Sequence, residues 1–116
     1  MAGEEATIER KVCELALRDY GIKNIKLTVS HNGWPDRMFL IPGGKPLFIE
    51  FKRPGGLPEP LQAHIHEMLK KLKYEVQVHD NVKSAISGIL AAMEAAWVPE
   101  KGSKVPVRAR LLRSLP

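Results

Sequence analysis

Apolar residues recur along the first twenty positions at helical spacing: Ile8, Val12, Leu15 and Tyr20 share one side, and Arg10, Lys11, Glu14 and Arg18 fill the other. Residues 4–20 are therefore expected to form an amphipathic helix ended by Gly21. The period then shortens to two. Residues 25–30 alternate with β-branched positions and read as a strand, and residues 36–41 read as a second. Pro42-Gly43-Gly44-Lys45 breaks that strand in the manner of a hairpin loop, which makes residues 46–52 its partner. Pro60 suits the first turn of a helix whose expected buried stripe is Leu61, Ile65, Met68, Leu69 and Leu72. Residues 74–79 alternate again, and Asp80 or Asn81 can cap a last helix with Val82, Ile86, Ile89, Met93 and Trp97 on its stripe. The order α-β-β-β-α-β-α predicts an α/β fold: the hairpin makes an antiparallel pair, and the helical crossover is long enough for a parallel one.

The last helix also carries a face of small residues, Ala85, Gly88, Ala92 and Ala95. Such a face suits close core packing, or the approach of a helix from a second copy. The chain has no internal repeat, Gly-rich phosphate loop, HExxH or paired CxxC.

Composition narrows the class. A chain of 116 residues, 44% hydrophobic, is long enough for one folded domain with a real core. The single cysteine, Cys13, excludes a disulfide scaffold and a thiolate metal cluster and fits a reducing compartment. The first residues are acidic and polar, and no apolar run is long enough to cross a bilayer, so the expectation is a cytoplasmic protein with no membrane partner. The net charge is +5, and +4 of it falls after Trp97, where five Lys and Arg residues oppose Glu100. The organisation expected is a domain over 1–97 and a basic tail over 98–116. That tail is either a poorly ordered terminus or an arm that contacts phosphates or a second copy of the chain.

Three charged residues stand where the pattern asks for apolar ones. Asp36 opens one strand, and Glu50 and Lys52 interrupt Leu-Phe-Ile-Glu-Phe-Lys, the most apolar strand of the protein. Alternation puts Phe48, Glu50 and Lys52 on one face, with the heads of Glu50 and Lys52 about 7 Å apart by two strand rises. Burying them without partners is expensive. The hairpin brings Asp36 beside Glu50, and two carboxylates on adjacent strands make a hard-oxygen pair suited to Mg²⁺ or Mn²⁺. Lys52 beside them could orient or deprotonate a water, or offset charge on a phosphate under attack. The plainer alternative is that Asp36 caps its turn and Glu50 and Lys52 form a surface ion pair.

Taken together, GWPDRMFLIPGG, LFIEFKRPGG and LPEPLQAHIHEMLKKLKYEVQV resemble the virus-type replication-repair nuclease (VRR-NUC) domain of the PD-(D/E)xK superfamily, a resemblance that runs from about Glu5 to Ile89 and leaves the tail uncovered. The resemblance implies a restriction-endonuclease-like αβββαβ core with a mixed sheet flanked by helices, here followed by a C-terminal helix and basic tail. It implies a divalent-metal-dependent endodeoxyribonuclease, and for small stand-alone members of phage or bacterial host cytoplasm a homodimer acting on branched DNA such as four-way junctions. It also places Asp36 and Glu50 as metal ligands, with the Phe51 backbone carbonyl as a further ligand, Lys52 as the catalytic lysine and Gln62 as the residue that steadies it. A glutamate of the first helix completes the set, and Glu9 is chosen for it, directly or through water, with Glu5 as the fallback. Lys73 departs from the pattern, which more often has Gly there, and this bears on the helix end. The readings kept beside this one are a monomeric nickase or flap nuclease, and a non-catalytic DNA-binding module of the same fold.

Lys26, His31, Asn32, Arg37, Arg53 and His66 are second-rank candidates for contacting DNA, being cationic or polar and near the mouth of the expected site. His66 is one turn from Gln62 and could hang over the site, but it reads more readily as a partly exposed histidine without a role.

Overall fold

A computed structural model of the chain describes residues 3–28 and 32–96. His31, Trp97 and the 98–116 tail, each given a reading above, lie outside the described residues. The elements are α1 (Glu4–Tyr20), β1 (Asn24–Lys26), β2 (Arg37–Phe39), β3 (Leu47–Phe51), α2 (Pro60–Lys71), β4 (Glu75–His79) and α3 (Val82–Ala96). The four strands lie in the order β1-β2-β3-β4. The first two pairings are antiparallel, and β3 pairs with β4 in parallel across the α2 crossover. This is the α/β architecture read from the sequence: the element order and mixed sheet of a restriction-endonuclease-like core, flanked by helices. Among the described residues, no helix is long and apolar enough to cross a membrane.

Local chemistry accounts for the element ends. Gly21 closes α1 in the left-handed conformation, φ 67°, and its N–H returns to the Ala16 and Leu17 carbonyls. Glu59 and Gln62 form a reciprocal capping box at the start of α2, with Pro60 in its first turn. Of the two residues able to cap α3, Asn81 does so, its Oδ1 accepting the Ser84 N–H at 2.8 Å. Asp80 instead accepts the Gly55 N–H at 2.9 Å and ties the loop after β3 to the end of β4. Lys73, just beyond α2, has a φ of 72°, a conformation glycine adopts freely and lysine does not.

β3 is buried along its whole length. Leu47, Ile49 and Phe51 join Val12 and Ala16 of α1 and Ala85, Ile89, Ala92 and Met93 of α3 in the main core. Pleating sends Phe48 and Glu50 the other way, toward α2. The helical stripes differ from those expected. The buried line of α1 is Glu9, Val12 and Ala16, and that of α2 ends in His66 and Leu69, while Leu61 and Leu72 are exposed. The reason on α2 is polar: Gln62 faces the sheet to meet Glu50, and this turns the buried line to positions four and seven residues after it. Of the small residues of α3, Ala85 and Ala92 are buried in the core and Ala95 is exposed. Gly88 lies against β4, where a Cβ would collide with Gln77 Oε1 and meet His79 Nε2 at 2.8 Å.

Candidate active site

Asp36 sits one residue before β2, whose first residue, Arg37, is level with Ile49 of β3. Pro35 carries no N–H, so the sheet ladder cannot continue through it. The Asp36 side chain takes over: its Oδ2 accepts the Phe51 N–H at 2.8 Å. The carboxylate is thus fixed to the backbone between Glu50 and Lys52. Burial pushes the Asp36 carboxyl above its ordinary pKa, opposed by the Phe51 N–H and reinforced by the negative charge of Glu9.

Glu50 is 3% exposed in the middle of the sheet. Its Oε2 accepts from Gln62 Nε2 at 2.9 Å and lies 3.3 Å from Lys52 Nζ. Its Oε1 is buried with no hydrogen-bond partner. Burial first, and then the charge of Asp36, push the Glu50 pKa up to about 7, against the opposing pull of Lys52 and Gln62. Lys52 donates to Gln62 Oε1 at 2.7 Å, and the same oxygen accepts the Glu59 N–H at 2.8 Å. One amide therefore holds acid, lysine and helix start together. Asp36, Glu50, Lys52 and Gln62 meet in one place, on the sheet face covered by α2.

Glu9 is hydrogen-bonded to none of the four, although its charge reaches Asp36. Its Oε2 accepts from Lys26 Nζ at 2.8 Å and from Arg37 Nε at 2.6 Å. Arg37 also donates to Asn24 Oδ1 at 2.9 Å, an oxygen that Cys13 Sγ approaches at 3.5 Å. Arg37 follows Asp36 and alternates to the α1 face, so this network clamps the strand from behind the site. Among the described residues, no three His, Cys, Asp or Glu side chains gather into a metal cage. Glu5, the alternative on α1, lines a cleft of about 520 Å³ whose walls include Lys52, Arg53, Gly55, Gly56 and Glu59.

The remaining candidates separate by exposure. Arg53 and Asn32 are exposed, and Arg53 lines the cleft. Lys26 is exposed but engaged by Glu9, and Arg37 is half-buried and committed to Glu9 and Asn24. His66 is 4% exposed, with Nε2 unpartnered, and burial lowers its pKa. Asn24, Glu59 and Asp80 were missed as supports. The signal for Glu9 was present in its spacing to Val12 and Ala16, three and seven residues on, which places a carboxylate on a buried stripe where it must find cations.

Chemically, a buried carboxylate with a bare oxygen, next to the half-buried carboxylate of Asp36, makes a hard donor pair for a divalent cation. The lysine beside them supplies fixed positive charge. No model of a known protein family matches the chain. It is 34% identical over 89 residues to the protein named "Putative nuclease p44" of Acyrthosiphon pisum secondary endosymbiont phage 1, and the match covers 77% of this chain and 94% of that protein. With that identity carried across nearly the whole of the phage protein, the chain belongs to the nuclease family of which the phage protein is a member.

Proposed function

We propose that the protein is a Mg²⁺- or Mn²⁺-dependent endodeoxyribonuclease of the VRR-NUC type, acting as a homodimer on branched DNA. One observation carries the metal-dependent reading: Glu50 is buried beside Asp36 with Oε1 unpartnered, an arrangement that costs free energy unless a cation completes it. The phage relative's name supports phosphodiester hydrolysis, and the motif resemblance supports DNA, branched structure and the dimer.

Asp36 and Glu50 would hold the cation, with the Phe51 carbonyl as a further ligand. When bound, the cation polarises the phosphoryl oxygen and lowers the pKa of the attacking water. The Phe51 N–H fixes the direction of the Asp36 carboxylate. Lys52, held by Gln62 Oε1, keeps its ammonium next to Glu50 and offsets the negative charge that grows on the phosphate. Glu9 acts at one remove, through Arg37, by fixing the strand that carries Asp36. A dimer would place two such sites about a two-fold axis and so cut both symmetric strands of a junction.

The test is cleavage of labelled four-way junction, flap, linear duplex and single strand with Mg²⁺, Mn²⁺ or chelator. Cleavage is expected only with metal, and Asp36→Ala and Lys52→Ala are each expected to lower it by about 10²-fold or more. Undiminished cleavage by either variant would remove the assigned site. Equal cutting of all four substrates would remove the branched preference, and a monomer in sedimentation at micromolar concentration would remove the dimer.

A further inference from the structure

Leu57 is 80% exposed, the most exposed of the large apolar side chains among the described residues. A lone exposed leucine is ordinary on a protein surface. This one differs in where it is and how it is held. It lies on the wall of the cleft that also contains Lys52 and Arg53. On the first turn of α2, Leu61 is 53% exposed and packs against Gly33, two residues from Pro35 and three from Asp36. Leu57 thus shares one cleft with the lysine of the site.

The loop that carries Leu57 is fixed at several points. Gly55 donates to Asp80 Oδ2 at 2.9 Å, Gly56 to the Arg53 carbonyl at 2.8 Å, and Glu59 to Gln62 Oε1 at 2.8 Å. Pro54 and Pro58 restrict the backbone on either side. A Cβ on Gly56 would lie 3.2 Å from Lys52 Cβ, so the loop folds back tightly on the lysine. Gln62, which accepts from both Glu59 and Lys52, couples the position of the loop to that of the ammonium.

We propose that Leu57 is a wedge that inserts at an unstacked base step next to the scissile phosphate and thereby selects branched over continuous DNA. The inference rests on the nuclease reading above. In continuous duplex, prying open a stacked step costs about as much as burying one leucine side chain returns, so the wedge gains little there. At a branch point the step is already open and the gain remains. Rigid presentation matters because a floppy loop would lose that gain to ordering entropy.

The experiment compares wild type, Leu57→Ser and Leu57→Met on a four-way junction and a continuous duplex, by kcat/KM. A second readout is the fluorescence of 2-aminopurine placed at the branch point, followed on binding in Ca²⁺. Leu57→Ser is expected to lower the junction-to-duplex ratio about tenfold, ~1.4 kcal/mol, and to abolish the fluorescence change, while Leu57→Met retains both. The site is exposed, so thermal unfolding should match wild type. An unchanged ratio in Leu57→Ser would overturn the wedge while leaving the nuclease standing. If wild type cuts no DNA, the nuclease reading fails, and the fluorescence readout alone then decides whether Leu57 engages a base step. A fallen ratio accompanied by a lower sedimentation coefficient would assign Leu57 to a contact between copies of the chain and overturn the wedge.

Discussion

Gln62 bonds Lys52 through its carbonyl oxygen at 2.7 Å while its amide nitrogen donates to Glu50 at 2.9 Å, so a single neutral side chain fixes the relation between a buried acid and the lysine beside it. Removing the amide leaves both charged groups short of a partner. Gln62→Ala is expected to destabilise the protein by about 1–3 kcal/mol in urea unfolding and to lower the cleavage rate at saturating metal. Gln62→Glu is expected to be the worse replacement, because it sets a second carboxylate against Glu50. Equal activity of Gln62→Ala and wild type would show that Lys52 needs no such support.

The elevated pKa of Glu50 gives a pH dependence of definite sign. Its folded pKa, about 7, lies above the ordinary 4.5, so the metal-free fold favours the protonated acid. The contribution is fully present below about 4.5 and is lost as pH rises through about 7, at a cost of about 3 kcal/mol by linkage. Glu50→Gln is therefore expected to stabilise the metal-free protein at pH 8 relative to wild type, with the difference vanishing near pH 4. A divalent cation needs the ionised acid, so its affinity in calorimetry should rise with pH through about 7 and release protons. Denaturant melts of both proteins across pH, with and without Mn²⁺, check these signs.

The element order was legible because each element announces its period, and the carboxylate pair because Asp36, Glu50 and Lys52 break an apolar pattern. What was not legible depends on packing between elements. The α2 stripe reads as Leu61, Ile65, Met68, Leu69 and Leu72 if burial follows hydrophobicity; Leu69 is buried, yet Leu61 and Leu72 are exposed and His66 is buried, because Gln62 is drawn to the sheet by Glu50. The α1 stripe hides Glu9 for the same kind of reason, since Lys26 and Arg37 arrive from strands remote in sequence to neutralise it. The pairing of Arg37 with Glu9 and Asn24 could not be seen either, since it joins α1, β1 and β2.

Close packing of α3 on β4 makes Gly88 sensitive. Gln77 donates to the Gly88 carbonyl at 3.2 Å and accepts from His79 at 2.7 Å, and the His79 ring reaches Ser84 Oγ at 2.9 Å. A methyl at position 88 would strike both Gln77 and His79. Although alanine favours a helix by about 1 kcal/mol, overpacking costs about 1–3 kcal/mol, so Gly88→Ala is expected to destabilise by up to about 2 kcal/mol in thermal unfolding. Sedimentation of the same variant separates internal packing from a contact between copies: an unchanged oligomeric state is expected.

Lys73 offers the opposite result. A non-glycine residue in the left-handed region loses about 1–2 kcal/mol to the crowding of its Cβ, and Lys73 adopts φ 72° at the turn from α2 into β4. Glycine relieves that crowding but gives back part of the gain through the freedom it adds to the unfolded chain. Lys73→Gly is therefore expected to stabilise by about 0.5–1 kcal/mol, raising Tm by about 2–6 °C for a domain of this size. The Lys73 N–H bond to the Lys70 carbonyl at 2.9 Å is a backbone contact and survives the change, so a fall in Tm would mean that the lysine side chain itself supports the turn.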